Sequence, residues 1–205
     1  YLTAYTLKNG KKLWEFQSGK RIIGTPAVSE GIVVFGSADR NIYGLNAMNG
    51  QLLWKVEAKE PVIGAVTIDK GVAYVGASDH TFRAIDVHTG KVVWSYDKVK
   101  GYIETKPLIA DNKVIFGAWD NTLYALDKTN GKECWKWTGG LTRMHYSPAA
   151  VWPVASNGKV FIADPQRAMT AVDILTNPEL LEEIRKAFPD AILLANMIEG
   201  GKTPY

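Results

Sequence analysis

The chain has 205 residues, a length that corresponds to one domain or slightly more. With 46% hydrophobic and 22% charged residues, its composition is that of a globular protein and excludes the disordered, collagen-like and coiled-coil classes. The net charge of +3 is too small for a nucleic-acid-binding surface, and the single cysteine, Cys134, excludes an internal disulfide and a cysteine-based zinc site.

The first predicted elements belong to a repeat that is marked by tryptophans. Four of the seven tryptophans lie four residues after a glycine, and these four are spaced 40, 40 and 41 residues apart. Four positions before each glycine stands a residue with a short hydrogen-bonding side chain. Two positions before that residue, the side chain is always small. The glycines and tryptophans are Gly10, Gly50, Gly90, Gly131, Trp14, Trp54, Trp94 and Trp135. The polar residues are Thr6, Asn46, Asp86, Asp127 and Asp173, and the small ones are Ala4, Gly44, Ala84, Ala125 and Ala171.

These residue types predict a strand, a turn and a second strand. An Asx or Thr side chain bonds backbone N–H groups two residues on, and glycine supplies the positive φ that ends the turn. Upstream of each unit lies a nearly continuous apolar run such as "IVVFGS", which follows a turn pair. The turn pairs are Glu30-Gly31, Lys70-Gly71, Asp111-Asn112 and Asn157-Gly158. Because strands that are apolar on both sides must be covered on both faces, we predict small antiparallel sheets stacked face to face.

This pattern resembles the blade repeat of the pyrroloquinoline-quinone-type β-propellers, a family that includes quinoprotein dehydrogenases and the propeller lipoprotein of the outer-membrane β-barrel assembly machinery. The resemblance is carried by "GTPAVSEGIVVFGSADRNIYGLNAMNGQLLWKV" and its copies, over residues 1 to about 173. It implies an all-β fold, a partial β-propeller of four-stranded antiparallel blades, with the repeat tryptophans docked between blades. It also implies an extracytoplasmic location, in the periplasm or at the outer membrane.

One connection between blades is longer than the others. The intervals from the four repeat glycines to Gly31, Gly71, Asp111 and Gly158 are 21, 21, 21 and 27 residues, so six extra residues enter "TGGLTRMHYSPAAVWPVAS". In an up-and-down blade this connection shares a face with the tip between the second and third strands. We predict a contact surface there for a protein, peptide or polymer; the alternative is that its aromatic side chains only cover the insertion's own backbone. The residues of this predicted surface are Trp119, Asp120, Arg143, His145, Tyr146, Trp152 and Arg167.

After Asp173 the pattern changes from strand-like to helix-like. Residues 176–188, "TNPELLEEIRKAF", begin with a capping candidate and predict one amphipathic helix, after which "AILLANMI" predicts a buried strand. The segment "LLANMIEGGKTP" is similar to a strand-and-loop segment of the phosphoenolpyruvate mutase and isocitrate lyase superfamily, whose acidic magnesium ligands belong to strands that this sequence does not contain. We expect a propeller over 1–173 and an αβ tail over 174–205, joined either as a chimera or as a natural linker to a second domain.

The remaining candidates for chemistry do not converge on a catalytic set. His88 falls in a repeat turn and His80 in a strand tip, where we expect both to be solvated, and Cys134 takes the slot before a repeat tryptophan, which predicts a small core residue. Quinoprotein dehydrogenases of the resembled family use an adjacent-cysteine disulfide and a calcium ion, and one cysteine cannot form that disulfide. We predict a non-catalytic binding or scaffold propeller without a cofactor; the alternatives are an accessory propeller of a larger enzyme and a quinone-dependent dehydrogenase.

The number of repeats bears on partners. A closed propeller needs about 4 to 8 blades, and an open arc leaves apolar blade faces uncovered. We expect the chain to be part of a larger propeller, or an arc that self-associates through its open blade faces.

No apolar run approaches the roughly 20 residues of a membrane span. The sequence opens at Tyr1 without a signal-type segment, so we expect any targeting signal to lie outside it.

Overall fold

The computed structural model describes residues 1–138, 151–163 and 169–173, with the backbone alone for Ala163 and for 169–173. Within these ranges every regular element is a β-strand, and the strands form five separate antiparallel sheets. The strands are β1 (Leu2–Tyr5), β2 (Lys12–Phe16), β3 (Ala27–Ser29), β4 (Ile32–Gly36), β5 (Asn41–Asn46), β6 (Leu52–Glu57), β7 (Thr67–Asp69), β8 (Val72–Gly76), β9 (Phe82–Asp86), β10 (Val92–Tyr96), β11 (Leu108–Ala110), β12 (Lys113–Ala118), β13 (Thr122–Asp127), β14 (Glu133–Thr138), β15 (Val154–Ser156), β16 (Lys159–Ala163) and β17 (Met169–Asp173).

The sheets are the blades of a propeller, and we number them 1 to 5 in chain order. Blade 1 is the pair β1-β2, and blade 5 is the three-stranded sheet β15-β16-β17. Blades 2, 3 and 4 are complete four-stranded sheets, β3 to β6, β7 to β10 and β11 to β14, in which consecutive strands are antiparallel neighbours. The predicted all-β fold, a partial propeller of four-stranded antiparallel blades, is confirmed.

Tight turns connect the first two strands of blades 2 to 5. Glu30 and Gly31 both have positive φ, 51° and 76°, as a two-residue type I′ hairpin turn requires. The other three predicted turn pairs also have positive φ at both residues. All four predicted turn pairs are therefore confirmed. Each turn sets the register of the two strands that it joins.

The turn between the third and fourth strands is closed by the polar side chain predicted for it. In blade 2 the N–H of Met48 donates to Asn46 Oδ1 at 2.9 Å, and the N–H of Gly50 donates to the Asn46 carbonyl at 2.8 Å. The carboxylates of Asp86 and Asp127 accept hydrogen bonds from the backbone two residues on in the same way. A short polar side chain thus replaces backbone partners that the turn lacks.

Each repeat tryptophan of blades 1 to 3 packs against the following blade, as predicted. The indole of Trp54 is 9% exposed, and its Nε1 donates to the carbonyl of Val87 at 2.6 Å. Its ring covers Gly90, where an added Cβ would stand 2.8 Å from the indole. Trp14 and Trp94 make the equivalent hydrogen bonds to the next blade at 3.0 Å. The repeat glycine therefore ends a turn and also admits the tryptophan of the preceding blade.

The small residue of each repeat lies opposite the tryptophan within the same blade. Gly44 pairs with Trp54 across β5 and β6, and a Cβ at Gly44 would stand 2.1 Å from the indole. Ala4 pairs in the same way with Trp14. The tryptophan ring folds over this partner, so the site accepts only a minimal side chain.

The outermost strand carries a β-bulge just before the tryptophan. In blade 2 the pairing with β5 shifts between Leu52 and Trp54, so Leu53 is an extra residue. Cys134 is the extra residue of the same bulge in blade 4, and its side chain is exposed. The prediction that Cys134 is a small core residue is wrong, because a bulged residue of an outer strand does not enter the space between blades.

The hydrophobic core lies between the blades. All five residues of β4 are buried, which confirms that the apolar runs are covered on both faces. Between blades 3 and 4 the rings of Phe82 and Phe116 stack in parallel with their centroids 4.0 Å apart, and both side chains are fully buried. Each blade is therefore stabilised mainly by its neighbours, as in other repeat folds.

Candidate functional site

The blade tips and the connections between blades lie on one side of the propeller, which we call the tip face. In each complete blade an aspartate of the tip between the second and third strands accepts a hydrogen bond from the N–H of a connection residue twenty positions earlier. The pairs are Asp39 with Gly19 (2.7 Å), Asp79 with Lys59 (3.1 Å) and Asp120 with Lys100 (2.9 Å). For the three complete blades the structure thus confirms that the entering connection and the tip share a face. The opposite side, with the tight turns, is the turn face.

Sequence reasoning missed the tip aspartate as a repeat residue. Asp39, Asp79 and Asp120 have the same spacing as the tryptophans, so the signal was present in the sequence. In blades 2 and 4 a tyrosine hydroxyl also donates to the aspartate, from Tyr43 at 2.8 Å and from Tyr124 at 2.7 Å. These carboxylates anchor the tips to the connections.

Blade 3 has an arginine in place of that tyrosine. Arg83 Nη1 donates to Asp79 Oδ1 at 3.0 Å, and the second guanidinium nitrogen pairs with the other carboxylate oxygen. The Asp79 side chain is only 1% exposed, so its charge is neutralised inside the blade. The repeat therefore accepts two different donors for one buried carboxylate.

The electrostatics of the tips follow from these bonds. Burial alone would raise the pKa of Asp39, but hydrogen bonds from Tyr43, Asn41 and Gly19 outweigh burial and hold its pKa below the ordinary value. Burial and the neighbouring Asp39 carboxylate together raise the pKa of Tyr43 to about 12. For Asp79 burial again opposes ionisation, and Arg83 outweighs it and lowers the pKa. The carboxylates of Asp39 and Asp79 are thus ionised structural groups whose oxygens already accept hydrogen bonds, unlike a general acid.

A cleft of about 700 Å³ opens on the tip face over blade 3. It lies between the connection of residues 59–63, which enters the blade, and Tyr102 and Glu104, which follow the blade. The tip residue His80 packs its ring edge-on against Tyr102, with the centroids 5.3 Å apart. His80 is therefore half-buried rather than solvated as expected, because the adjacent connection supplies an aromatic partner.

His88 lies on the turn face, as its place in a repeat turn predicts. The ring is exposed, and its Nε2 lies 2.8 Å from a carboxylate oxygen of Glu30. The expectation of a solvated turn residue is confirmed for His88.

The structure describes part of the predicted contact surface. Trp119 is half-buried in the tip of blade 4, and its Nε1 donates to Glu104 Oε2 at 2.9 Å, which joins it to the rim of the cleft. Trp152 is 59% exposed, with the ammonium of Lys106 5.4 Å from its ring centroid. Asp120 is the tip aspartate of blade 4. Arg143, His145, Tyr146 and Arg167 lie outside the described residues.

The described residues do not fit a quinone and calcium site. Within the described ranges no three His, Cys, Asp or Glu side chains come together to hold a metal ion. The adjacent-cysteine disulfide that the resemblance implies has no counterpart, since Cys134 is the sequence's one cysteine. Over the same ranges, no helix is long and apolar enough to cross a membrane. The tip face instead presents aromatic and cationic side chains around a cleft.

Comparison with known proteins agrees with the fold. A family model described as outer membrane protein assembly factor BamB matches residues 1–184. The chain is similar to the structure of BamB from Moraxella catarrhalis, with a TM-score of 0.70 and 24% identity over 85% of this chain and 52% of that one. It thus spans about half the length of that protein. No curated protein matches it.

Two further structures resemble the chain. The computationally designed Ika4 protein has a TM-score of 0.68 and 23% identity, over 80% of this chain and 99% of that one. The quinohemoprotein alcohol dehydrogenase ADHIIG from Pseudomonas putida HK5 has a TM-score of 0.62 and 19% identity, over 79% of this chain and 34% of that one. At these identities the likeness establishes the propeller fold alone.

Proposed function

The chain belongs to the BamB family of outer membrane protein assembly factors, and on that basis we propose that it is a non-catalytic propeller scaffold that binds a protein partner through its tip face. The partner is another component of outer-membrane protein assembly, and the location is the periplasmic side of the outer membrane. One observation supports this most: the tip face carries exposed aromatic side chains that the repeat does not use. Tyr102 is 52% exposed and Trp152 is 59% exposed, whereas the repeat tryptophans are docked against blades.

The contact surface that we propose runs from the cleft to the blade 4 tip. Trp119 and Trp152 supply large aromatic surfaces, and Lys106 adds a cation beside Trp152. Tryptophan is one of the residue types that dominate binding energy at protein interfaces. We include Asp120, Arg143, His145, Tyr146 and Arg167 in this surface on their sequence positions.

Site-specific photo-crosslinking tests the location of the partner. A photoreactive phenylalanine analogue at Trp119 or Trp152 should crosslink one and the same envelope protein in cells that make the full protein. The same analogue at Met48, which is exposed on the turn face, is the matched control and should not crosslink that protein. Crosslinking to that protein from position 48 alone would contradict the proposal.

The quinone-dependent dehydrogenase is the second candidate, because its fold is shared with the Pseudomonas putida enzyme. Purified full-length protein would be incubated with pyrroloquinoline quinone and Ca²⁺, and dye-linked oxidation of a primary alcohol would be measured. We expect no turnover, since the described residues do not fit the cofactor. Turnover above a heat-denatured control would overturn the non-catalytic proposal. If the chain is instead an accessory propeller of a larger enzyme, activity would appear only when the propeller is joined to its catalytic domain.

A further inference from the structure

Three cationic side chains cluster on the tip face at blade 2. Lys20 and Arg21 belong to the connection that enters the blade, and Arg40 belongs to its tip. All three are exposed. We call these three residues the basic cluster.

Ser37 holds the backbone of the basic cluster together. Its hydroxyl lies 3.4 Å from the carbonyls of both Lys20 and Arg21, and its own carbonyl accepts the N–H of Arg40 at 3.2 Å. The Arg21 carbonyl also accepts the N–H of Ala38 at 2.8 Å. Ser37 is fully buried, so these bonds are shielded from water. The three cations therefore project from a single fixed junction.

The repeats show that the fold does not require these cations. The Ala38–Arg21 backbone bond recurs as Ser78 to Pro61 and as Trp119 to Tyr102, which identifies proline and tyrosine as the counterparts of Arg21. The same alignment places Glu60 and Gly101 at the position of Lys20. A cation at the positions of Lys20 and Arg21 is thus found in blade 2 alone among the complete blades; blades 3 and 4 carry one lysine a position earlier, Lys59 and Lys100, where blade 2 has Gly19.

The backbone of Arg40 makes the same point. Arg40, His80 and Asn121 occupy one position in successive tips, with φ of 73°, 62° and 60°. Asparagine and histidine are enriched in this left-handed region, and arginine is not. An arginine here has a conformational cost, and among the described residues its guanidinium has no partner that would offset the cost. Lys20 and Arg21 likewise form no ion pair with any side chain that the structure describes.

The basic cluster shares a wall with the cleft over blade 3. The N–H of Ala58 donates to the Arg40 carbonyl at 2.7 Å, and the N–H of Val62 donates to the Ser37 carbonyl at 3.1 Å. The connection of residues 59–63 that these bonds hold is one side of the cleft, and Tyr102 is on the other side. A ligand that leaves the basic cluster across this connection reaches an aromatic surface.

We propose that the basic cluster and the cleft together bind an extended protein segment that is acidic at one end and aromatic or proline-rich at the other. Carboxylates of the segment pair with Lys20, Arg21 and Arg40, and its apolar end packs on Tyr102 and His80. At the cleft the carboxylates of Glu60 and Glu104, which form no ion pair with a described side chain, outnumber the one lysine, Lys59, so a ligand that is acidic throughout is disfavoured. The inference rests on the proposed function, which places the partner on the tip face. The inference adds the chemistry of the segment that binds there.

A synthetic peptide tests this chemistry on the full chain. The probe has four glutamates followed by alternating tyrosines and prolines, carries fluorescein, and is followed by fluorescence anisotropy; a second peptide has lysines in place of the glutamates. We expect the acidic peptide to bind more tightly than the basic one, and its affinity to fall as NaCl is raised. Arg40→Asn should weaken binding about threefold, as expected for one exposed ion pair, and Lys20→Glu/Arg21→Tyr/Arg40→Asn roughly thirtyfold.

Lys70→Asn is the matched control, because Lys70 is also an exposed cation at positive φ but lies on the turn face. It should leave binding unchanged, and circular dichroism should show that all variants fold. Equal binding of the acidic peptide by wild type and the triple variant would overturn the inference, as would binding of phosphatidylglycerol vesicles in its place. Persistent crosslinks from Trp119 and Trp152 in the triple variant would show that the proposed function stands even if this inference fails.

Discussion

At the scale of single residues, the tip aspartate shows what the repeat demands and what it leaves open. The carboxylate is buried in blade 3 and partly buried in blades 2 and 4, so it needs hydrogen-bond donors. The side-chain donor is a tyrosine in blades 2 and 4 and Arg83 in blade 3. A buried charge that loses its partner is strongly destabilising, whereas a partner of different chemistry can replace it. The tyrosines of blades 2 and 4 therefore suggest a tolerated substitution at Arg83 in blade 3.

Arg83→Tyr should be tolerated and Arg83→Leu should not. Tyrosine at 83 would donate to Asp79 as Tyr43 and Tyr124 donate in their blades, so we expect a loss of unfolding free energy within about 1 kcal/mol. Leucine would leave Asp79 with backbone donors only, at a cost of about 2 to 4 kcal/mol. Urea unfolding of the two variants measures the difference. Equal destabilisation would show that packing of the guanidinium, rather than satisfaction of Asp79, decides stability.

The raised pKa of Tyr43 predicts a loss of stability at high pH. A phenol whose pKa rises from 10.0 to about 12 on folding favours the folded state fully below pH 10, and this contribution disappears as the pH rises to about 12. Tyr43→Phe should therefore make the decline of the melting temperature between pH 10 and 12 shallower. Tyr102→Phe removes an exposed phenol and serves as the control, with the wild-type decline. A Tyr43→Phe profile parallel to that of wild type would contradict the prediction.

At the scale of elements, the β-bulge in the outer strand places one residue in solvent and the next one against the following blade. The bulge leaves Leu53 46% exposed, while the next residue, Trp54, is docked on blade 3. Because the extra residue shifts the pairing by one, the tryptophan faces its small partner and the following blade. Blades 1, 2 and 3 are thereby each joined to the next blade by one indole.

Trp54→Ala should cost about 3 to 5 kcal/mol of unfolding free energy. The substitution leaves a cavity over Gly44 and Gly90 and deprives the Val87 carbonyl of its donor. Leu53→Ala, one residue away on the bulge, should change stability by less than about 1 kcal/mol, because little apolar surface is buried there. Chemical denaturation of both variants provides the measurement. Comparable losses at the two positions would mean that the indole does not join the blades.

At the scale of the whole molecule, the blades form a chain of neighbour contacts. The successive innermost strands β3, β7, β11 and β15 contact one another, and each interblade core is a separate apolar cluster. Stability in such an arrangement is approximately a sum of blade and interface contributions. Removal of a segment beyond the last blade should therefore leave the earlier blades intact.

Deletion of residues 176–205 should preserve the β-type circular dichroism spectrum. The expectation depends on the loss of the strand pattern after Asp173 and on the division into a propeller and an αβ tail, which stays a prediction because the tail lies outside the described residues. The melting temperature of the shortened chain should stay within a few degrees of that of the full chain, as for a loss of about 1 kcal/mol or less. Loss of the β-type spectrum would show that the tail is integral to the fold.

The sequence alone determined the fold class, the turn pairs and the tryptophan contacts, because each depends on local chemistry that recurs at a fixed spacing. Positive φ at Glu30 and Gly31 and the Asx bonds of Asn46 need only a few consecutive residues. The partner of each tryptophan is equally predictable, since it lies one repeat away. Because the repeat has a fixed period, the position of a tryptophan in one repeat predicts its contact in the next.

Only the tertiary structure decided which side chains are buried at the tips and bulges. Cys134 is exposed because a register shift with β13 makes it an extra residue, and His80 is half-buried because Tyr102 arrives from another connection. The basic cluster meets the cleft through hydrogen bonds from the connection that enters blade 3, whose course around Arg40 is set by blade packing. Such placements depend on how a strand or connection meets its neighbour in the folded blade, and residue type alone does not specify them.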